Sequence, residues 1–227
     1  MQLPFTADAF FEVFARYNVA LWPMVILLWL AALGAVVAVL RAPGPRSSAA
    51  AAAVLAALWL WGGAVYHAAY FTRINPAAWG FAALFVVEAG LLAWYGVARR
   101  ALDFGRAAPL PRAVGIGLAV YALAYPGLNL LAGHSYPAMP TFGVPCPSGI
   151  FTAGMLLTSP RRPPAAIMIV PVFWALVGGS AAVVLGVIAD YVLLGCAAIL
   201  LVDAAAKAPA AATATPGSGG APPSARR

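Results

Sequence analysis

Again and again along this chain, about 20 consecutive residues pass with almost no charge. That is the length of α-helix needed to cross the hydrocarbon core of a bilayer. No other feature limits the possible folds so strongly. Only 8% of the 227 residues are charged and 64% are hydrophobic, against roughly 25% charged in a soluble domain. The expected fold is therefore all-α, a polytopic transmembrane bundle of about seven spans, with the lipid bilayer as its first partner.

The spans read from the apolar runs are about Val19–Leu40, Ser48–Phe71, Ala77–Ala98, Ala113–Leu131, Ser148–Ser159, Ala165–Leu185 and Ala189–Val202. The fifth is short for a full crossing. The last two come from dividing a 40-residue apolar stretch, Pro163 to Val202, near Gly186 to Asp190. Residues 1–18 form an N-terminal segment capped by Thr6, either an interfacial helix or an outward extension of the first span. Residues 19–203 form the bundle. Residues 204–227, rich in Ala, Pro, Gly and Ser, read as a disordered cytoplasmic tail.

The net charge of +7 comes from thirteen Lys and Arg scattered through short connectors. They gather on no single face, which argues against nucleic acid as a partner. With seven spans, one set of flanks holds eleven of these cations, and the other holds only Arg16 and Arg73. Excess Lys and Arg mark the cytoplasmic side, so the N-terminus is expected outside and the C-terminus inside. The setting this suggests is a bacterial inner membrane. Asp8 and Glu12 ahead of the first run do not suit a cleavable signal peptide. Cys146 and Cys196 fit neither a disulfide framework nor a zinc spacing.

Between the fourth and fifth spans lies a connector without charge, Gly133 to Pro147, dense in Pro, Gly and aromatics. Proline removes a backbone donor and disfavours helix in the residue before it. This segment is expected to be irregular, either at the membrane surface or dipping in where protein shelters its backbone. Around it collect the candidate site residues His67, Asn75, His134, Tyr136, Cys146 and Asp190, all placed at or near the outer surface by this topology. His67, His134 and Tyr136 are expected to converge on one outward-opening pocket, with Glu88 below its floor.

Glu88 is the one acid expected near mid-bilayer. An intramembrane carboxyl costs about 2.5–3.5 kcal/mol to insert, so it usually faces a cavity, a partner or a proton path. Tyr121, Tyr125 and Asn129 form an (i, i+4, i+8) stripe on the fourth span, and Tyr121, Tyr125 and Thr152 are the expected partners of Glu88. Asn75 before Pro76 suits a turn capping the third span. Asp190 suits the N-terminus of the seventh. Cys146 reads either as an inert buried thiol or as one activated by helix-terminal amides. His134, Met139 and Cys146 are types that soft copper prefers, and two histidines could clamp a haem. Neither pattern defines a metal site, and no cofactor is assigned.

The opening Leu3-Pro4-Phe5-Thr6 with Phe10-Phe11, the Tyr17-Asn18 pair and the Asn75-Pro76-Ala77 turn carry a resemblance. So do Gly133-His134-Ser135-Tyr136-Pro137, Pro140-Thr141-Phe142-Gly143, Pro145-Cys146-Pro147, Phe151-Thr152 and the Trp174 to Gly179 stretch. Over about residues 1–203 the chain resembles a bacterial polytopic membrane family catalogued only as a domain of unknown function. The resemblance implies a shared fold and no activity. Three functional readings compete. One is a transporter or channel for a small solute, or one linked to protons, with Glu88 and the tyrosine stripe along its path. The second is a membrane redox, metal-binding or catalytic protein using His134 and Cys146. The third is an accessory subunit that packs on a larger complex or on a second copy. No catalytic motif favours the enzyme reading.

Overall fold

The computed structural model describes residues 4–208, and every regular element among them is helical. The tail expected to be disordered lies mostly outside the described residues. Helix α1 runs from Ala7 to Arg41 without a break. At 35 residues it is about 52 Å long, well beyond the ~30 Å of a hydrocarbon core. Residues 7–18, expected as an N-terminal segment, are thus continuous with the helix of the first apolar run. Thr6 caps it, its Oγ1 accepting from the Ala9 amide at 3.2 Å.

Helix α2, Pro45–Trp61, continues as a π-helix over Gly62–Tyr70 and a 3-10 turn to Arg73. Helix α3, Ala78–Leu92, likewise ends in a π segment to Ala98. Then come α4 (Pro109–Leu131), α5 (Pro145–Leu157), α6 (Ala166–Leu185), a 3-10 turn over Ile188–Asp190, and α7 (Val192–Ala206). Six of these stretches are long and apolar enough to cross a membrane, and α5 falls short of that length.

One end of the bundle is tied together by polar contacts between connectors. Arg106 donates from its guanidinium to Pro43 O at 2.7 Å. The amides of Arg106 and Ala107 both donate to Thr158 O, at 3.1 and 2.9 Å. Lys207 donates to Ser159 O and pairs with Asp203, each at 2.6 Å. The C-terminal ends of α1, α5 and α7 and the connector before α4 therefore share this end, so the helices alternate in direction.

At the other end the connector of residues 132–144 does not stay on the surface. Asn18 of α1 clamps it, donating from Nδ2 to Pro137 O and Met139 O at 2.7 and 2.8 Å and accepting from the Thr141 hydroxyl at 2.7 Å. From Met139 to Val144 the connector is buried. Gly143, at φ +92°, turns the chain against Leu28, nearly three helical turns along α1 from Asn18. Pro145 then opens α5 at a position where a missing amide costs nothing. Helix α5 is short, its 13 residues rising about 20 Å, and it begins where the buried connector ends. Helix α5 is buried almost throughout. Its crossing with α4 is so close that a Cβ on Gly115 would lie 2.5 Å from Gly154 O.

Candidate functional site

Three departures from regular helix surround one cavity. The first is the π-helical end of α2. Its Gly63 lets α3 approach so closely that a Cβ there would meet Ala82 O and Phe85 Cβ, both at 2.9 Å. The second is the connector into α5. The third is the break between α6 and α7, where Gly186 adopts φ +73° and ends α6, as a glycine after a helix commonly does. π segments recur at functional sites. In apolar surroundings, irregular backbone is tolerated where protein buries it or where it lines a cavity.

The cavity measures about 140 Å³. Half-buried Phe5, Phe10 and Asn75 line it, as do Tyr66, His67 and Phe71 from the end of α2. Helix α6 contributes Trp174, Val177 and Gly178. Pro145 and Cys146 come from α5, and Val187 and Asp190 from the break before α7.

His67 is fully buried, and neither ring nitrogen has a hydrogen-bond partner. Its imidazole is held by rings alone: Phe85 at 4.7 Å between centroids, Trp174 at 5.2 Å, Phe81 at 5.6 Å and Phe71 at 5.9 Å. The π-helix turns it into the interior of the bundle, away from the surroundings of the protein. Trp174 Nε1 is buried and unpartnered as well.

Asp190 does not cap the seventh helix. The residue flanking α7 is Tyr191, which makes no side-chain cap. Asp190 instead reaches across to α4, where the Tyr125 hydroxyl donates to its Oδ1. Cys146 lies beside the same carboxyl. Tyr121 donates to Ala189 O at 2.8 Å, and Asn129 Nδ2 donates to Tyr125 O at 3.0 Å. The two tyrosines of the α4 stripe are therefore spent on holding the α6–α7 break in place, while Asn129 bonds within its own helix. Asn75 makes the expected turn, its Oδ1 accepting from the Ala77 amide at 3.1 Å.

The convergence expected of His67, His134 and Tyr136 does not occur. His134, just beyond the end of α4, lies over Phe11, with centroids 4.8 Å apart. Tyr136 is 53% exposed and reaches Asn18 O at 3.4 Å. Neither lines the cavity, because the Asn18 clamp draws this part of the connector toward α1. Among the described residues, no three His, Cys, Asp or Glu side chains are grouped to hold a metal.

Glu88 is fully buried in α3 with both oxygens unpartnered. None of its expected partners reaches it. Tyr121 and Tyr125 face the α6–α7 break. Thr152 donates to Ser148 O at 2.7 Å and accepts from Trp59 Nε1 at 2.9 Å. Glu88 lies about one turn from Phe85, whose ring packs edge-on against His67 at 4.7 Å between centroids.

Trp174, Tyr66 and Asn18 were not singled out as site residues. A tryptophan or asparagine inside an apolar run must find a partner or a cavity, and that demand is a signal readable at Trp174 and Asn18. Tyr66 offers no such signal apart from its neighbours.

Fold and cavity together define a bundle of long apolar helices, compatible with a membrane protein, that carries a buried, partly polar cleft at one end. The chain belongs to the family of unknown function DUF6064, whose profile matches residues 7–211. No curated protein and no solved structure matches it.

Proposed function

We propose that this is an integral membrane protein of seven crossings, with its N-terminus outside and its C-terminus in the cytoplasm. Its cleft admits a small, largely apolar solute from the outer side, as in a carrier or channel. The observation that carries this reading is His67: a fully buried imidazole, without a partner, in the wall of a cavity where three irregular backbone segments meet. A buried polar group without a partner costs about 1–3 kcal/mol, and a guest that bonds to it recovers that cost. Broken helices at matched depth are the way membrane carriers build solute sites.

Charge supports the orientation. Close to the helix ends, nine cations flank the end tied by Arg106 and Lys207, and only Arg16 and Arg73 flank the cleft end. The connector and α5 together make the fifth crossing. Glu88, isolated beyond Phe85, is the group through which a proton would couple to the solute. A bacterial inner membrane is the proposed location.

Access to the cleft is tested through its own thiol. In a Cys196→Ala background, N-ethylmaleimide should modify Cys146 in the folded protein in detergent. A second change, Ala181→Trp, fills the cavity wall and should slow that reaction at least tenfold. If Cys146 reacts only after unfolding, the cleft is closed to solutes and the proposal fails.

A further inference from the structure

Resting on the reading of the cleft as a solute site, we infer that its occupant is an organic cation, an amine or quaternary ammonium on a small apolar body. Three observations point the same way. The walls are aromatic: Phe14, Tyr66, Phe71, Phe81 and Trp174 all line the space. Ring faces attract a cation through their quadrupole, worth about 0.5–1 kcal/mol when exposed and about 2 or more when desolvated.

The second observation is the sign of the fixed charge. Asp190 is the one carboxyl in the lining, and among the described residues no Lys or Arg lines the cavity with it. The Tyr125 hydroxyl donates to Oδ1 and fixes the carboxyl from the α4 side. Nothing in the wall neutralises a bound anion, whereas a bound cation finds a counter-ion already in place. Solvent is largely kept away from Asp190, which is 4% exposed, so the discrimination between signs is stronger than it would be in water.

The third is His67. A neutral imidazole carries one N–H and one acceptor nitrogen, and here neither is used by the protein. The ammonium N–H of an amine can donate to the acceptor nitrogen, whereas a quaternary ammonium, which has no N–H, relies on the rings and Asp190 alone; the surrounding rings hold the imidazole in its place. The volume of about 140 Å³ is close to the roughly 150 Å³ that accommodates one benzene-sized body. This sets the scale of the apolar part.

Protection of Cys146 from N-ethylmaleimide, in the Cys196→Ala protein, separates this inference from the reading beneath it. Three probes of one shape are compared: benzyltrimethylammonium, its uncharged carbon isostere neopentylbenzene, and the anion phenylmethanesulfonate. The cation should protect at concentrations at least tenfold lower than the isostere, and the anion should not protect. Asp190→Asn, which keeps an acceptor for Tyr125, should abolish the gap between cation and isostere, with rates taken relative to its own unprotected rate. Equal protection by cation and isostere, or protection by the anion, overturns the cation inference and leaves the cleft reading standing. Labelling of Cys146 that no probe slows also overturns it. A Cys146 that cannot be labelled in the folded protein removes the cleft reading itself.

Discussion

Glu88 and Asn18 show what a buried polar side chain does in an apolar bundle. Asn18 uses its amide fully, two donor bonds and one acceptor bond, and so fixes a segment more than 100 residues away in sequence. Glu88 makes no hydrogen bond. A group of that kind opposes folding, because its hydration is lost without return. Replacing Glu88→Leu should therefore stabilise the protein by about 1–3 kcal/mol, and Glu88→Gln should leave stability nearly unchanged. Reversible unfolding in mixed SDS micelles measures both. A loss of stability in the leucine variant would mean that the acid has a partner in the membrane. Glu88 was legible in the sequence as an oddity, since a lone acid in an apolar run stands out. Its surroundings were not, because they depend on which faces of α2 and α3 meet.

At the scale of elements, the shortest helix is the most constrained. Helix α5 lies against α4, and its backbone touches α4 through two glycines. A Cβ on Gly154 would lie 2.6 Å from Gly115 O and 2.8 Å from Ala119 N. Backbone atoms cannot move aside as a flexible side chain can, so the helices themselves must separate. Either Gly115→Ala or Gly154→Ala should destabilise by about 1–3 kcal/mol. Gly117→Ala, with nothing within 4 Å of the added carbon, should be neutral or stabilising by up to about 1 kcal/mol through helix propensity. Thermal denaturation of the three variants in one detergent checks the contrast. A destabilised Gly117→Ala, or a neutral Gly154→Ala, would contradict the crossing. The limits of α3 taken with its π segment, Ala78 to Ala98, and of α6 were readable to within a residue or so from the apolar runs. The π-helical end of α2 was not, since its cause is the close fit of Gly63 against α3.

For the whole molecule, the polar ties among connectors gather one end of the bundle around Arg106, Thr158 and Lys207. In the proposed orientation that end faces the cytoplasm. A cysteine placed by Arg106→Cys in a Cys146→Ala, Cys196→Ala background should stay unlabelled by a membrane-impermeant maleimide in intact cells, and should react once the cells are opened. One placed by Ala132→Cys, at the exposed end of α4, should label from outside. The reverse pattern would invert the topology and turn the cleft toward the cytoplasm.

By itself the sequence determined the class of fold, the order and approximate limits of the helices, and the irregular nature of the Gly133–Pro147 connector. These follow from local rules: the length of an apolar run, the backbone restrictions of proline, and the cost of charge in an apolar setting. It also named four of the residues that line the cleft, His67, Asn75, Cys146 and Asp190, because their residue types are rare in such a chain; the aromatic walls went unnamed. Only the tertiary structure decided that His134 and Tyr136 stand apart, that Asp190 reaches Tyr125 instead of capping α7, and that Glu88 is left without its expected hydroxyls. Each of these turns on which side of a helix faces which neighbour, and on how far a connector plunges before the next helix begins. A single apolar sequence carries little such information. Where nearly every face of every helix is hydrophobic, the pattern that would distinguish inside from outside is absent, and close contacts between glycines, rings and clamped backbone make the choice.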